Sequence, residues 1–246
     1  MNQDKLKEIH GHILKIASMQ RAELALRFFK TGKGEYGEGD KFLGLTVPQT
    51  RKLVRVYGDI NLKDTEKLLK SEFHDERLLA LLIMVNKFEK AKDEKIRREI
   101  FEIYLKNIKK YINNWDLVDT SAPKIVGAYL SDTKNKKERK EILQKLSDSK
   151  NLWENRVSII ATLYFIMKEK NFKDTLEMVD KLLHHEHDLI HKANGWMLRE
   201  VYKRVDQEII RKFLKKNYHK IPRTTLRYAI EKMEEAERKN WIKGNI

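Results

Sequence analysis

Arg77, Asp116, Arg156, Lys192 and Arg227 recur at intervals of 39, 40, 36 and 35 residues, each a few positions into an apolar run of helical spacing. A period of that size holds two short helices and their turns. It marks a helical repeat chain, in which one repeat cannot bury its apolar face alone and must stack on the next. The same face of every unit then lines one continuous surface. Four of the five positions are cationic, which suits a polyanion. The acidic exception, Asp116 with Asp119 one turn further on, implies that something other than phosphate is handled there.

Helix breakers are scarce, with 3 prolines and 10 glycines in 246 residues. Leu68, Leu69, Leu78, Leu79, Leu81 and Leu82 recur at helical rather than alternating spacing. The reading is all-α: a solenoid of stacked helical repeats with a concave basic groove. No Pro/Ser/Gly linker divides the chain, so one domain over 1–246 is expected. The expected helix pairs are 65–71 with 76–88, 95–109 with 114–130, 137–147 with 152–168, 172–183 with 188–202, and 207–217 with 223–237. Residues 1–60 are expected to add a further pair and a cap. Asp64, Asp75 and Asp188 read as N-caps and Pro222 as a first helical residue. Pro123 lacks an amide donor and is expected to bend or break helix 114–130 one turn past Asp119.

The formal net charge is +15, from 52 basic and 37 acidic residues, and the pI is near 9.6. Basic residues alternate with acids and aromatics, so a folded charged groove for nucleic acid is expected and not a polybasic arm. The absence of cysteine excludes disulfides, iron–sulfur clusters and thiolate zinc sites. The first twenty residues carry charges throughout and read as no signal peptide. No run approaches 18 uncharged apolar residues. The expectation is a cytoplasmic, nucleoid-associated protein that works as a monomer, without membrane, metal or cofactor.

Residues 113–119 read NNWDLVD, which puts Trp115 and Asp119 on one helix face. Residues 151–156 read NLWENR and 194–199 read NGWMLR. Trp153 reads as core. Trp196 reads as either core or a surface platform for a base, sugar or cation. Arg156 reads as a phosphate clamp, against a plain ion-pair partner. Lys192, Arg199 and Arg227 join Arg77 as candidate DNA contacts. The segment 31–41, TGKGEYGEGDK, ends in no GK[ST] and follows no strand, so it is neither a P-loop nor a dinucleotide fingerprint. It is either a connector or a finger whose Tyr36 and Lys33 touch the DNA backbone. His184, His185, His187 and His191 crowd together. His187 and His191 stand four apart, but no HExxH accompanies them. Hydrolase and kinase signatures are missing.

The segments RFFKTGKGEYGEGDKFLGLTVPQTRKL, NNWDLVD, LWENRVSIIATLYFI, HDLIHKANGWMLRE and PRTTLRYAIEKM resemble, in order, the DNA alkylation repair proteins of the AlkD-like family. The resemblance covers nearly the whole chain and implies an α-superhelix of HEAT-like repeats. It also implies a DNA glycosylase that removes N3- and N7-alkylated purines from duplex DNA. The family's WxxxD pattern falls on Trp115 and Asp119, its arginine on Arg156 and its second tryptophan on Trp196. Related branches bind branched DNA without glycosylase activity through an inserted hairpin. The loop at 31–41 therefore carries a second reading, a non-catalytic binder of branched or damaged DNA.

Alkylation at N3 or N7 makes the purine cationic and a good leaving group, so no general acid is required, unlike ordinary glycoside hydrolysis. The transition state needs charge stabilisation at an oxocarbenium-like sugar and a placed water. The resemblance assigns both to Asp119, packing on sugar and backbone to Trp115 and Trp196, and a phosphate anchor to Arg156. The family is described as working without the pocket that base-flipping enzymes use.

Overall fold

A computed structural model describes residues 3–132 and 136–245. Among them the regular structure is helical, and the lone β feature is an isolated parallel bridge between Lys41 and Phe73. The chain forms two compact units, Met1–Ser121 and Ala122–Ile246. Both are built from stacked helix pairs of the α-solenoid kind.

The first unit holds α1 (Gln3–Ile16), α2 (Met19–Phe28), α3 (Val47–Tyr57), α4 (Leu62–Leu69), α5 (His74–Lys90), α6 (Glu94–Tyr111) and α7, which begins at Trp115 and ends at Ala122. Residues 1–60 thus supply three helices where a pair and a cap were expected. α5 is buried nearly all round, from His74 to Val85, because it packs between α3, α4 and α6. Two expected caps are corrected. Asn61, not Asp64, accepts the first-turn amide of α4, while Asp64 pairs with Lys67 at 2.9 Å. Asp75 lies inside the first turn of α5 and accepts from the amides of Leu43 and Leu45, each at 2.7 Å. Its carboxylate satisfies a distant loop instead of its own helix end.

In the second unit Pro123, without an N–H, opens a π-helical turn, Pro123–Gly127, and α8 (Ala128–Ser131) follows. Where a bend or break was expected, the chain stays helical and passes from α to π. Then come α9 (Lys136–Ser147), α10 (Leu152–Ile160), α11 (Thr162–Glu169), α12 (Lys173–Lys181), α13 (Asp188–Arg204), α14 (Gln207–Asn217), α15 (Arg223–Ala229) and α16 (Glu235–Lys243). The pairs match the expected register. Expected helix 152–168 is broken at Ala161, and 223–237 ends early. α16 turns back to bury Trp241, whose carbonyl accepts from the Tyr218 hydroxyl at 2.9 Å. His187, not Asp188, caps α13, and Pro222 stands at the cap of α15 and not inside it.

Buried asparagines repeat a structural duty in this unit. Asn155 donates to the carbonyls of Leu146, Ser147 and Ser149, closing the end of α9. Asn194 donates to Leu182 O at 3.1 Å, just past α12. Each supplies donors to orphan carbonyls that burial would otherwise leave unpaired. At Gly195 a Cβ would lie 2.4 Å from Tyr228 Cβ and 2.6 Å from Thr225 O. The missing side chain sets how closely α13 and α15 approach.

Candidate active site

α7 begins where buried Asn114 turns its amide group on two neighbours. Its Oδ1 accepts from Trp115 N at 2.8 Å, and its Nδ2 donates to Asp40 Oδ2 at 3.4 Å. Trp115 and Asp119 follow at helical spacing, both half-buried. The helix is fastened to α6 through the Tyr104 hydroxyl, 2.9 Å from Ser121 Oγ, which donates to Leu117 O at 2.5 Å. Full burial raises the Tyr104 phenol above its ordinary pKa, and the nearby Asp119 charge pushes the same way. The Asp119 carboxylate therefore stands by a phenol that stays neutral.

Trp115 sits against an aromatic group that the helical periodicity did not reveal. Phe29 stacks on it at 5.5 Å between centroids, and Phe28 meets it edge-on at 5.8 Å. Phe29 also stacks on Phe42 at 5.0 Å. Phe28 is 65 % exposed, so the aromatic surface continues outward from Trp115.

Behind these rings lies a run of buried charge. Arg77 donates to Asp40 Oδ1 at 2.6 Å. The His74 ring bonds Asp40 Oδ2 through Nδ1 at 2.9 Å and Asp116 Oδ2 through Nε2 at 2.8 Å. Side-chain exposure is 4 % for Asp40, 3 % for His74, 5 % for Arg77 and 18 % for Asp116. Burial alone would lower the His74 pKa. The carboxylates of Asp116 and Asp40 overcome it and push the imidazole up to about 9. Burial would raise Asp40, but the hydrogen bond from His74 and the charge of Arg77 hold it below the usual carboxylate range. With His74 protonated, two positive and two negative groups neutralise one another.

Arg77 is thus an interior residue, and its expected contact with DNA is corrected. Its guanidinium is spent on Asp40 and on the carbonyls of Ser71 and Glu72, both at 3.3 Å. The segment 31–41 is likewise folded onto the body of the unit. Its turns run Glu35 N to Gly32 O and Gly37 N to Lys30 O, at 3.0 and 3.1 Å. A Cβ on Gly37 would come 2.5 Å from Phe29 O, so the segment lies tight against its neighbours. Asp40 anchors its end, and Lys41 O accepts from His74 N at 2.8 Å. Tyr36 is half-buried, while Lys33 is exposed.

In the second unit Arg156 is 4 % exposed and donates to the Leu189 carbonyl in the first turn of α13. The residue expected to clamp phosphate is thus a buried guanidinium in this structure. Its charge helps lower the pKa of His187, after burial and His185. Trp196 is half-buried on α13 beside Gly195. Lys192 is paired with Asp188 at 2.7 Å, and Arg199 with Glu231 and Glu200. Arg227 is exposed. The cationic row is therefore uneven, with Arg77 and Arg156 interior and Arg227 at the surface.

The crowded histidines serve the backbone. His187 Nδ1 accepts from Leu189 N at 3.1 Å, His185 Nδ1 from His187 N at 3.0 Å, and His191 Nε2 lies 2.5 Å from His185 O. Among the described residues no group of three or more His, Asp or Glu side chains is arranged to hold a metal ion. Among them, too, no helix is long and apolar enough to cross a membrane.

The family model described as DNA alkylation repair enzyme matches residues 9–233. A solved structure described as a predicted DNA alkylation repair enzyme from Enterococcus faecalis superposes with a TM-score of 0.67 at 17 % identity. The match covers 89 % of this chain and 97 % of that one. At this identity the likeness shows the fold. No curated protein matches.

Proposed function

Because the chain belongs to the DNA alkylation repair enzyme family, we propose that it is a DNA glycosylase for cationic N3- or N7-alkylated purines in duplex DNA. The observation that carries this reading is the pairing of Trp115 with Asp119 on α7, a half-buried carboxylate one turn from a half-buried tryptophan. A phosphate reader has no use for a carboxylate among its contacts, since that charge opposes binding to DNA. An oxocarbenium-like sugar does have use for one.

In this mechanism the C1′–N bond of the alkylated nucleotide breaks and its electron pair leaves with the base, which departs neutral. Asp119 stabilises the cationic sugar, orients the attacking water and takes up its proton. Trp115, extended by Phe28, packs on sugar and backbone, and its π face favours the developing cation. The resemblance assigns the same duty to Trp196, half-buried on α13 of the second unit. Arg156, buried, contributes through its positive charge and by seating the first turn of α13. Arg227, Lys33 and the accessible part of Lys192 supply phosphate contacts. No cofactor is required.

The test is Asp119→Asn on duplex DNA carrying N7-methylguanine. Base release is expected to fall at least about a hundredfold, the scale of losing one preorganised electrostatic group, with DNA affinity equal or higher. Unchanged release would remove Asp119 from the mechanism. Tight binding by the wild type with no release would favour a non-catalytic reader of branched or damaged DNA.

A further inference from the structure

The glycine-rich segment and the first turn of α7 meet at one imidazole. We propose that His74 is a positioning residue, holding Trp115 and Asp119 in their working orientation by bridging Asp40 and Asp116. This deepens the glycosylase reading and rests on it for the role of Asp119.

Two routes lead from His74 to the site. The first runs through the chain: Nε2 holds Asp116 at 2.8 Å, Trp115 is the preceding residue, and Asp119 lies one turn further along α7. The second runs through packing: the His74 ring lies 5.0 Å from Phe29, which stacks on Trp115 at 5.5 Å. Phe42 covers the His74 ring at 4.6 Å. On the far side Asp40 is fixed by Arg77 at 2.6 Å and approached by Asn114 at 3.4 Å. The imidazole therefore has little freedom to turn.

A purely structural need is met more cheaply by apolar side chains, since buried ion networks seldom out-stabilise hydrophobic replacements of similar volume. What such a network does supply is direction. Each carboxylate oxygen is aimed by a donor at a set angle, and that aim passes to the helix bearing it. Asp116 depends on this arrangement, because its Oδ1 is buried with no hydrogen-bond partner among the described residues. Loss of the Nε2 donor would leave that carboxylate to reorient, and α7 would turn with it.

The experiment compares wild type, His74→Gln and Asp116→Asn, well below their melting temperatures. It reads single-turnover base release from N7-methylguanine duplex, DNA affinity, and acrylamide quenching of Trp115 fluorescence, isolated by subtracting a Trp115→Phe background. Both variants are expected to lose about tenfold or more in release rate, because small misplacements at a reacting centre are costly. Affinity should stay within about twofold, since phosphate contacts dominate it, and Trp115 should become more quenchable. Asp116→Asn keeps the Arg77–Asp40–His74 part intact and stands in if His74→Gln does not fold. Variants that lose only thermal stability, with release and quenching unchanged, overturn the proposal. If the wild type releases no base, the glycosylase reading fails separately. Quenching then decides the positioning claim, upheld by a rise in both variants and overturned by none.

Discussion

Raising the pH should remove a defined part of the stability of this protein. His74 titrates near 9 in the folded chain against an ordinary 6.5. Its folded pKa is raised, so the linked stability is fully present below about pH 6.5 and is lost as pH climbs through 9. The gap corresponds to about 3 kcal/mol. For a chain of this size that is a fall of about 6–12 °C in melting temperature. The charges facing His74 are Asp40, itself held by Arg77, and Asp116, and the rings of Phe29 and Phe42 exclude water around it. His74→Gln is the reference, because titrating groups outside the Asp40–His74–Asp116 network are common to both proteins and cancel in the difference. The assay is urea unfolding followed by far-ultraviolet circular dichroism across this range. The advantage of wild type over His74→Gln should shrink by about 3 kcal/mol between about pH 6 and 10. A gap constant across that window would mean that His74 carries no proton between its carboxylates, and the account of the buried network would be wrong.

Gly195→Ala should destabilise by about 1–3 kcal/mol in the same unfolding assay, because the overpacking cost outweighs the gain of about 1 kcal/mol in helix propensity. The new Cβ would meet Tyr228 Cβ at 2.4 Å and a backbone oxygen at 2.6 Å, neither of which is a flexible chain end. Arg227→Ala should weaken DNA binding alike across sequences and lower the slope of log affinity against log salt by about 1. Arg77→Ala should leave that slope unchanged, since Arg77 is interior. A lowered slope for Arg77→Ala would show that it reaches phosphate.

The helix pairs were legible because the apolar period of a helix is written locally, and leucines such as Leu78, Leu79, Leu81 and Leu82 all turn out buried. The Trp115–Asp119 spacing was legible for the same reason. The charge network was not. Asp40, His74 and Asp116 stand 34 and 42 residues apart along the chain, and no local pattern marks a charge whose partner comes from another element. Arg77 shows the consequence. It shares the repeat register with exposed Arg227, yet a carboxylate from the glycine-rich segment draws it inside. Asp75 misled in a related way, since an acid beside a helix start reads as a cap until a distant loop claims its oxygens. The one signal for Asp40 was the acid closing a glycine-rich stretch, which matched no known phosphate or nucleotide motif. α16 escaped notice because nothing between Ile230 and Glu234 is a proline or glycine. The burial of Trp241, a tertiary contact, decides that turn.

The most direct test of the account is a mass balance on wild-type protein. Duplex DNA carrying N7-methylguanine is incubated with it, then freed base and abasic sites are counted together. The account predicts that both appear in equal amounts, and that both fall together by at least about a hundredfold in Asp119→Asn. Bound DNA that yields neither product would contradict it.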